Sequence, residues 1–189
     1  MVHIKRSKDF NIMPWKNGGG ITQELFRIPH AVSTDHFFFR LSKATVSSSG
    51  EFSLFPGIER TLILLSGHGF HLERKNSDPV IMKDKLSSLQ FKGEDSIYCE
   101  LIDGECVDFN VMIDRTWGET QVSLRVVQKG NPFSWIANEE TYLYLDCNDP
   151  KLVILHHQEG YRVVAEEDTT IIITEVIRKG DSIERTEEA

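Results

Sequence analysis

Val107-Asp108-Phe109-Asn110-Val111-Met112-Ile113 alternates with a period of two: Val107, Phe109, Val111 and Ile113 point one way, Asp108, Asn110 and Met112 the other. An extended strand with one apolar face and one face able to line a polar cavity is the direct reading. Similar short segments rich in β-branched and aromatic residues recur along the chain. They run from Phe37 to Val46, Arg60 to Leu65, Val80 to Met82, Ser96 to Leu101, Val122 to Val127, Leu152 to His156, Tyr161 to Ala165 and Thr169 to Val176. Glycine and proline corners separate them, as at Phe55-Pro56-Gly57, Gly67-His68-Gly69 and Glu159-Gly160. This spacing predicts an all-β sandwich or barrel. No window of helical length holds a 3.6-residue apolar stripe, and 138–144 is the best place for a brief helical turn. An apolar strand, a Gly corner and a second strand occur around Leu62 to Leu72 and again around Leu152 to Val164, as two copies of a β-barrel half would produce. The polar, acidic tail after Gly180 is expected to fray.

The chain has 189 residues with 40% hydrophobic content, enough for one large domain or two joined halves. Its formal charge of -8 argues against nucleic acid or anionic membrane as the partner, since both need a basic surface. The start, Met1 to Phe10, carries charges with no apolar stretch of signal-peptide length behind it, and no segment approaches the length that spans a bilayer. Cys99, Cys106 and Cys147 are odd in number, lack CxxC spacing and accompany no Asn-x-Ser/Thr acceptor, which fits a reducing compartment. A cytoplasmic protein is the expectation.

The run Pro14-Trp15-Lys16-Asn17-Gly18-Gly19-Gly20-Ile21-Thr22-Gln23-Glu24 draws attention to function. Glycine lets backbone approach a partner closely. Trp15 supplies an apolar plate, Asn17 a paired donor and acceptor, Thr22 a hydroxyl and Glu24 an acceptor or base, so a polar small molecule could be both stacked and hydrogen-bonded. A mobile turn is the plainer alternative. The run fails the nucleotide-binding tests, because Gln23 stands where a dinucleotide fingerprint needs glycine and no Gly-Lys-Ser/Thr follows.

Arg40 and Ser42 share one face of a largely apolar segment, and Phe52, Phe55 and Arg60 surround the Pro56-Gly57 turn. A covered arginine needs an acceptor. Arg40 or Arg60 either pairs internally with Asp108 or Glu24 or binds an anion, and the guanidinium fork suits a carboxylate. Phe52 and Phe55 read either as core plugs or as ligand plates. Among seven histidines, His71 and Glu73 share a strand face with His68 nearby, but no HxH or HExxH spacing exists, so no dedicated metal site is expected. There is no GxSxG elbow and no local Cys–His signature, so covalent catalysis has no support.

Four motifs in one order carry a family resemblance. They are Pro-Trp-Lys-Asn-Gly-Gly-Gly-x-Thr-x-Glu from Pro14, Arg40-Leu-Ser-Lys-Ala44, Phe52-Ser-x-Phe-Pro-Gly-Ile-x-Arg60, and Asp108-Phe-Asn-Val-Met-x-x-Arg115. Together, over about residues 13–115, the chain closely resembles the HutD/Ves family of bacterial proteins. The resemblance implies a cupin-like double-stranded β-helix arranged as two barrels in one chain, a bicupin, with halves at 1–115 and 116–189. For the HutD branch it implies regulation of histidine utilisation by sensing a metabolite such as N-formylglutamate, and for the Ves branch a stress-related role. The motif residues that would cluster include Trp15, Asn17, Gly18, Gly19, Gly20, Thr22, Glu24, Arg40, Ser42, Phe52, Ser53, Phe55, Arg60, Asp108, Asn110 and Met112. Cupins that hold a metal use a His-x-His pair with a later glutamate and histidine, which this chain lacks.

The reading is therefore a metal-free, cofactor-free bicupin that binds a small carboxylate metabolite through Arg60 or Arg40. Asn17 and the glycine-loop amides would hold polar oxygens, and Trp15, Phe52 and Phe55 the apolar part. An isomerase or hydrolase of a small acid, with Glu24 or Asp108 as general base, is the alternative. A protein-interaction module that forms a homodimer through exposed sheet edges is the third.

Overall fold

The computed structural model describes residues 2–30, 36–75 and 77–180. In chain order its strands are β1 (His3–Arg6), β2 (Asn11–Pro14), β3 (Gly20–Pro29), β4 (Phe37–Val46), β5 (Gly50–Glu51), β6 (Ile58–Ser66), β7 (Phe70–Arg74), β8 (Ser77–Met82) and β9 (Ser88–Lys92). They continue with β10 (Ile97–Leu101), β11 (Cys106–Asp114), β12 (Gly118–Val127), β13 (Pro132–Ile136), β14 (Glu140–Asp146), β15 (Lys151–Leu155), β16 (Gly160–Val164) and β17 (Thr169–Arg178). A 3-10 turn at Ser7–Asp9 is the only helical element among the described residues. None of their helices is long and apolar enough to cross a membrane. The chain is all-β, and each expected strand segment overlaps an observed one.

The structure divides into two compact units, residues 11–115 and a second formed by 1–10 with 116–189. Residues 1–10 were expected with the first half. They belong to the other unit because β1 pairs antiparallel with β15, His3 opposite Ile154 through Arg6 opposite Lys151. In the second unit a five-stranded sheet, β1-β15-β14-β17-β12, accompanies the β13–β16 ladder. Its core holds Phe133, Leu143, Leu145, Val153, Leu155, Ile171 and Ile173. The helical turn expected at 138–144 is absent: β14 occupies Glu140–Asp146 and buries Thr141 through Leu145 without a break. A strand covered on both faces has a continuous apolar run, in which periods of 2 and 3.6 cannot be told apart. The tail beyond Gly180 lies outside the described residues.

In the unit of residues 11–115, a six-stranded antiparallel sheet, β2-β3-β4-β11-β6-β9, accompanies a four-stranded one, β5-β10-β7-β8. Strand β6 explains how an arginine reaches the interior. Leu62 and Leu64 enter a core with Val46, Phe70, Leu72, Phe91 and Ile97. Period two then places Arg60 on the same face as those leucines. Burying each such leucine contributes about 1.5–3 kcal/mol, enough to hold the register that carries Arg60 inward. In β3 the pairing slips between Glu24, opposite Ser42, and Phe26, opposite Leu41, leaving Leu25 as the extra residue of a bulge.

Candidate functional site

The sheet register assembles the site. Asn110 on β11 lies between Ser42 on β4 and Leu62 on β6, and Met112 lies between Arg40 and Arg60. The face of β11 foreseen as polar therefore meets the inward faces of both neighbours. It lines a cavity of about 510 Å³ inside this unit.

Arg60, Asp108 and Asn110 are all buried, 6%, 2% and 6% exposed. Arg60 Nη2 donates to Asn110 Oδ1 at 2.8 Å, and Asn110 Nδ2 donates to Asp108 Oδ1, so the amide joins cation to carboxylate. Asn110 does this because its carbonyl accepts on one side while its NH₂ donates on the other. Arg60 Nη1 reaches the Ser53 carbonyl only at 3.4 Å, and its buried Nε has no partner. Its guanidinium lies 4.8 Å from the Phe91 ring centroid, 5.3 Å from Phe52 and 5.6 Å from Phe55. An aromatic surround attracts a cation through ring quadrupoles but gives it no counter-charge. Burial pulls the Arg60 pKa down to about 10 despite the opposing pull of Asp108, and the Arg40 charge adds to the lowering. Burial likewise pushes the Asp108 carboxyl up to about 7, against the opposing effect of Arg60.

The second arginine is differently placed. Arg40 Nε donates to Glu24 Oε2 at 2.7 Å, with both side chains about 15% exposed (14% and 15%), and Nη1 lies 3.9 Å from Met112 Sδ. Of the alternatives read from the sequence, the internal ion pair forms at Arg40 with Glu24, while Arg60 reaches Asp108 only through Asn110; both arginines line the cavity.

Trp15 forms a side wall. Its Nε1 donates to Thr22 Oγ1 at 2.8 Å, tying the indole to the far arm of the glycine hairpin. A Cβ at Gly20 would run into the Thr45 carbonyl oxygen and stand 3.1 Å from the Trp15 ring, so only glycine leaves room for the indole there. Gly18 adopts φ of 71°, the left-handed region that favours glycine.

Most of the candidate residues come together: Trp15, Asn17, Thr22, Arg40, Ser42, Phe52, Phe55, Arg60, Asp108, Asn110 and Met112 all line the cavity. Gly18, Gly19, Gly20 and Glu24 do not. The Gly18 amide donates to the Trp15 carbonyl, the Gly19 amide donates to Asn17 Oδ1 at 3.0 Å, and Gly19 O accepts from Ser47 and Ser48. The expectation that glycine-loop amides bind ligand oxygens is thus corrected for Gly18 and Gly19, whose amides are spent in closing the hairpin. Glu24 acts behind the wall, through Arg40.

Sequence reasoning missed Lys16, Glu51 and Leu62 in the lining, and Phe91 behind Arg60. Phe91 faces Arg60 because β9 pairs with β6 in that register, which local composition does not signal. Among the described residues no histidine lines the cavity, so its donor set does not suit the His-rich metal centre of metal-holding cupins.

Fold and cavity define a cupin-like all-β protein. The HutD family model matches residues 7–179, and the chain belongs to the HutD family. It is 37% identical over 113 residues to an uncharacterized 21.2 kDa protein in the hutC 3' region of Pseudomonas putida, covering 59% of this chain and 57% of the relative. Protein Ves of Escherichia fergusonii is 39% identical over 108 residues, 55% of each chain. The chain thus spans a little over half the length of these curated relatives. Among solved structures, a conserved protein of unknown function from Pseudomonas aeruginosa PAO1 superposes with a TM-score of 0.73 at 25% identity, covering 95% of this chain and all of the other. HutD from Pseudomonas fluorescens SBW25 gives 0.69 at 24%, with 95% and 100% covered. Escherichia coli YhhW shares the fold alone, at 0.68 and 6% identity, with 93% and 97% covered.

Proposed function

We propose that this chain is a bicupin whose cavity, without a metal, senses a small carboxylate metabolite, such as N-formylglutamate, in the regulation of histidine utilisation. The observation that carries the reading is the pair of arginines flanking Met112 in one cavity, of which Arg60 is buried with an amide and three aromatic rings around it. The Arg40 charge opposes that of Arg60, and two cations that repel each other favour an anion between them. A carboxylate would accept from guanidinium N–H groups, while its carbon skeleton lies against Trp15, Phe52 and Phe55. Asn17, whose Oδ1 is engaged by Gly19, keeps Nδ2 to donate at the mouth. The hutC neighbourhood of the P. putida relative and the HutD name of the P. fluorescens structure support the pathway. The strand-corner-strand repeat supports the two-barrel reading, since β6 to β7 and β15 to β16 each pass from one sheet into another. Cytoplasmic location and homodimerisation through sheet edges belong to the same proposal.

Thermal unfolding of metal-stripped protein with histidine-pathway carboxylates tests it. A ligand at 100 times its Kd stabilises the native state by about 2.7 kcal/mol. The shift is expected to survive chelation and to vanish in Arg60→Ala. No shift with N-formylglutamate, glutamate or urocanate would reject this ligand class.

One observation favours a second reading. A buried carboxyl held near 7 and lining a cavity suits a general acid or base, so Asp108 could serve an isomerase or hydrolase of a small acid. Product formation abolished by Asp108→Asn, with folding intact, distinguishes it from a sensor.

A further inference from the structure

On β7, His71 and Glu73 are two residues apart and project from one face, while Phe70 and Leu72 take the other face into the core. That division fixes the rotation of the strand, so His71 and Glu73 look away from the core. Glu100 on β10 stands directly opposite His71 in the antiparallel register. One donor atom from each of the three lies within 4.8 Å of the others, and His71 Nδ1 is 3.3 Å from Glu100 Oε2. Neither Glu73 nor Glu100 pairs with a lysine or arginine among the described residues. Two carboxylates gathered around one imidazole repel each other unless a cation joins them.

We propose that His71, Glu73 and Glu100 form a binding site for a transition-metal dication, zinc above others, on the outer face of the β7–β10 ladder. One imidazole nitrogen with two carboxylate oxygens is a donor set that zinc accepts, whereas calcium and magnesium prefer oxygen alone. The two carboxylates balance the charge of the ion. Three protein ligands leave a fourth tetrahedral position to water. Adjacent paired strands supply all three donors, so binding closes side-chain torsions without moving backbone. The site is separate from the cavity and stands or falls independently of the carboxylate reading.

Titration of tag-free, metal-stripped protein with zinc chloride, followed by calorimetry, tests the proposal. One equivalent is expected to bind. His71→Ala and Glu73→Gln should each weaken binding by about tenfold or more, since each removes a ligand. Glu73 is exposed, so its variant keeps the test valid if His71→Ala fails to fold. His68→Ala, at the neighbouring corner where that ring contacts the Asp103 carbonyl, should leave binding unchanged. Magnesium at equal concentration should not compete. Absence of stoichiometric uptake, unchanged affinity in Glu73→Gln, or equal competition by magnesium would overturn the assignment.

Discussion

Trp15 Nε1 donates to Thr22 Oγ1 across the glycine hairpin at 2.8 Å, and this one bond fixes the orientation of the cavity's indole wall. Thr22→Val keeps the shape and removes the acceptor. The variant should lose about 1 kcal/mol of stability, and Trp15 should become more accessible to acrylamide quenching. Unchanged quenching would mean that packing alone holds the ring.

Gly20 controls the same wall from behind. Gly20→Ala places a methyl group against the Thr45 carbonyl and the Trp15 ring, so the β3–β4 pairing or the indole must shift. A cost of about 1–3 kcal/mol is expected in chemical denaturation. Gly18→Ala should also destabilise, but through its φ of 71° rather than through a clash, since no atom lies within 4 Å of its added Cβ.

The Asp108 carboxyl, held near 7 when folded against 3.8 ordinarily, gives a pH prediction. Between those values the folded state binds more protons than the unfolded state, so the stability contributed by this group falls as pH rises. From pH 5 to pH 8, wild type should lose about 2–3 kcal/mol relative to Asp108→Asn, which cannot titrate. Parallel stability profiles for the two proteins would show that Asp108 is already ionised at pH 5.

Glu24 is predicted to matter through Arg40 rather than by contact with ligand. Glu24→Gln leaves the Arg40 charge in a mostly covered position without its counter-charge, at a cost of about 1–3 kcal/mol. If the proposed sensor binds its carboxylate at Arg40, affinity should rise in this variant, because the ligand no longer competes with Glu24. Lower affinity would identify Glu24 as a ligand contact.

Legibility from sequence followed the range of each signal. The face of Asp108, Asn110 and Met112 could be read because alternation is local, and the same holds for Arg40 with Ser42. What those faces meet depends on register between strands distant in sequence, which is why Phe91 beside Arg60 went unseen. In the glycine run the Gly18 and Gly19 amides close the hairpin, and the groups that reach the cavity are the side chains of Trp15, Asn17 and Thr22 around it. Strand β14 was hidden because a segment buried on both faces carries no periodicity, and β3 because glycine, Gln23 and Glu24 mask an edge of the pattern.

Strand β1 has a consequence for how the molecule is made. During synthesis, His3 to Arg6 leave the ribosome roughly 150 residues ahead of Ile154 to Lys151, the segment they must pair with. Residues 11–115 can complete their own sheets in the interval, while the first strand waits with unpaired backbone. Closing so long a loop should place β1 docking late in assembly, and a chain shortened by its first six residues would leave β15 as an open edge for another chain to fill.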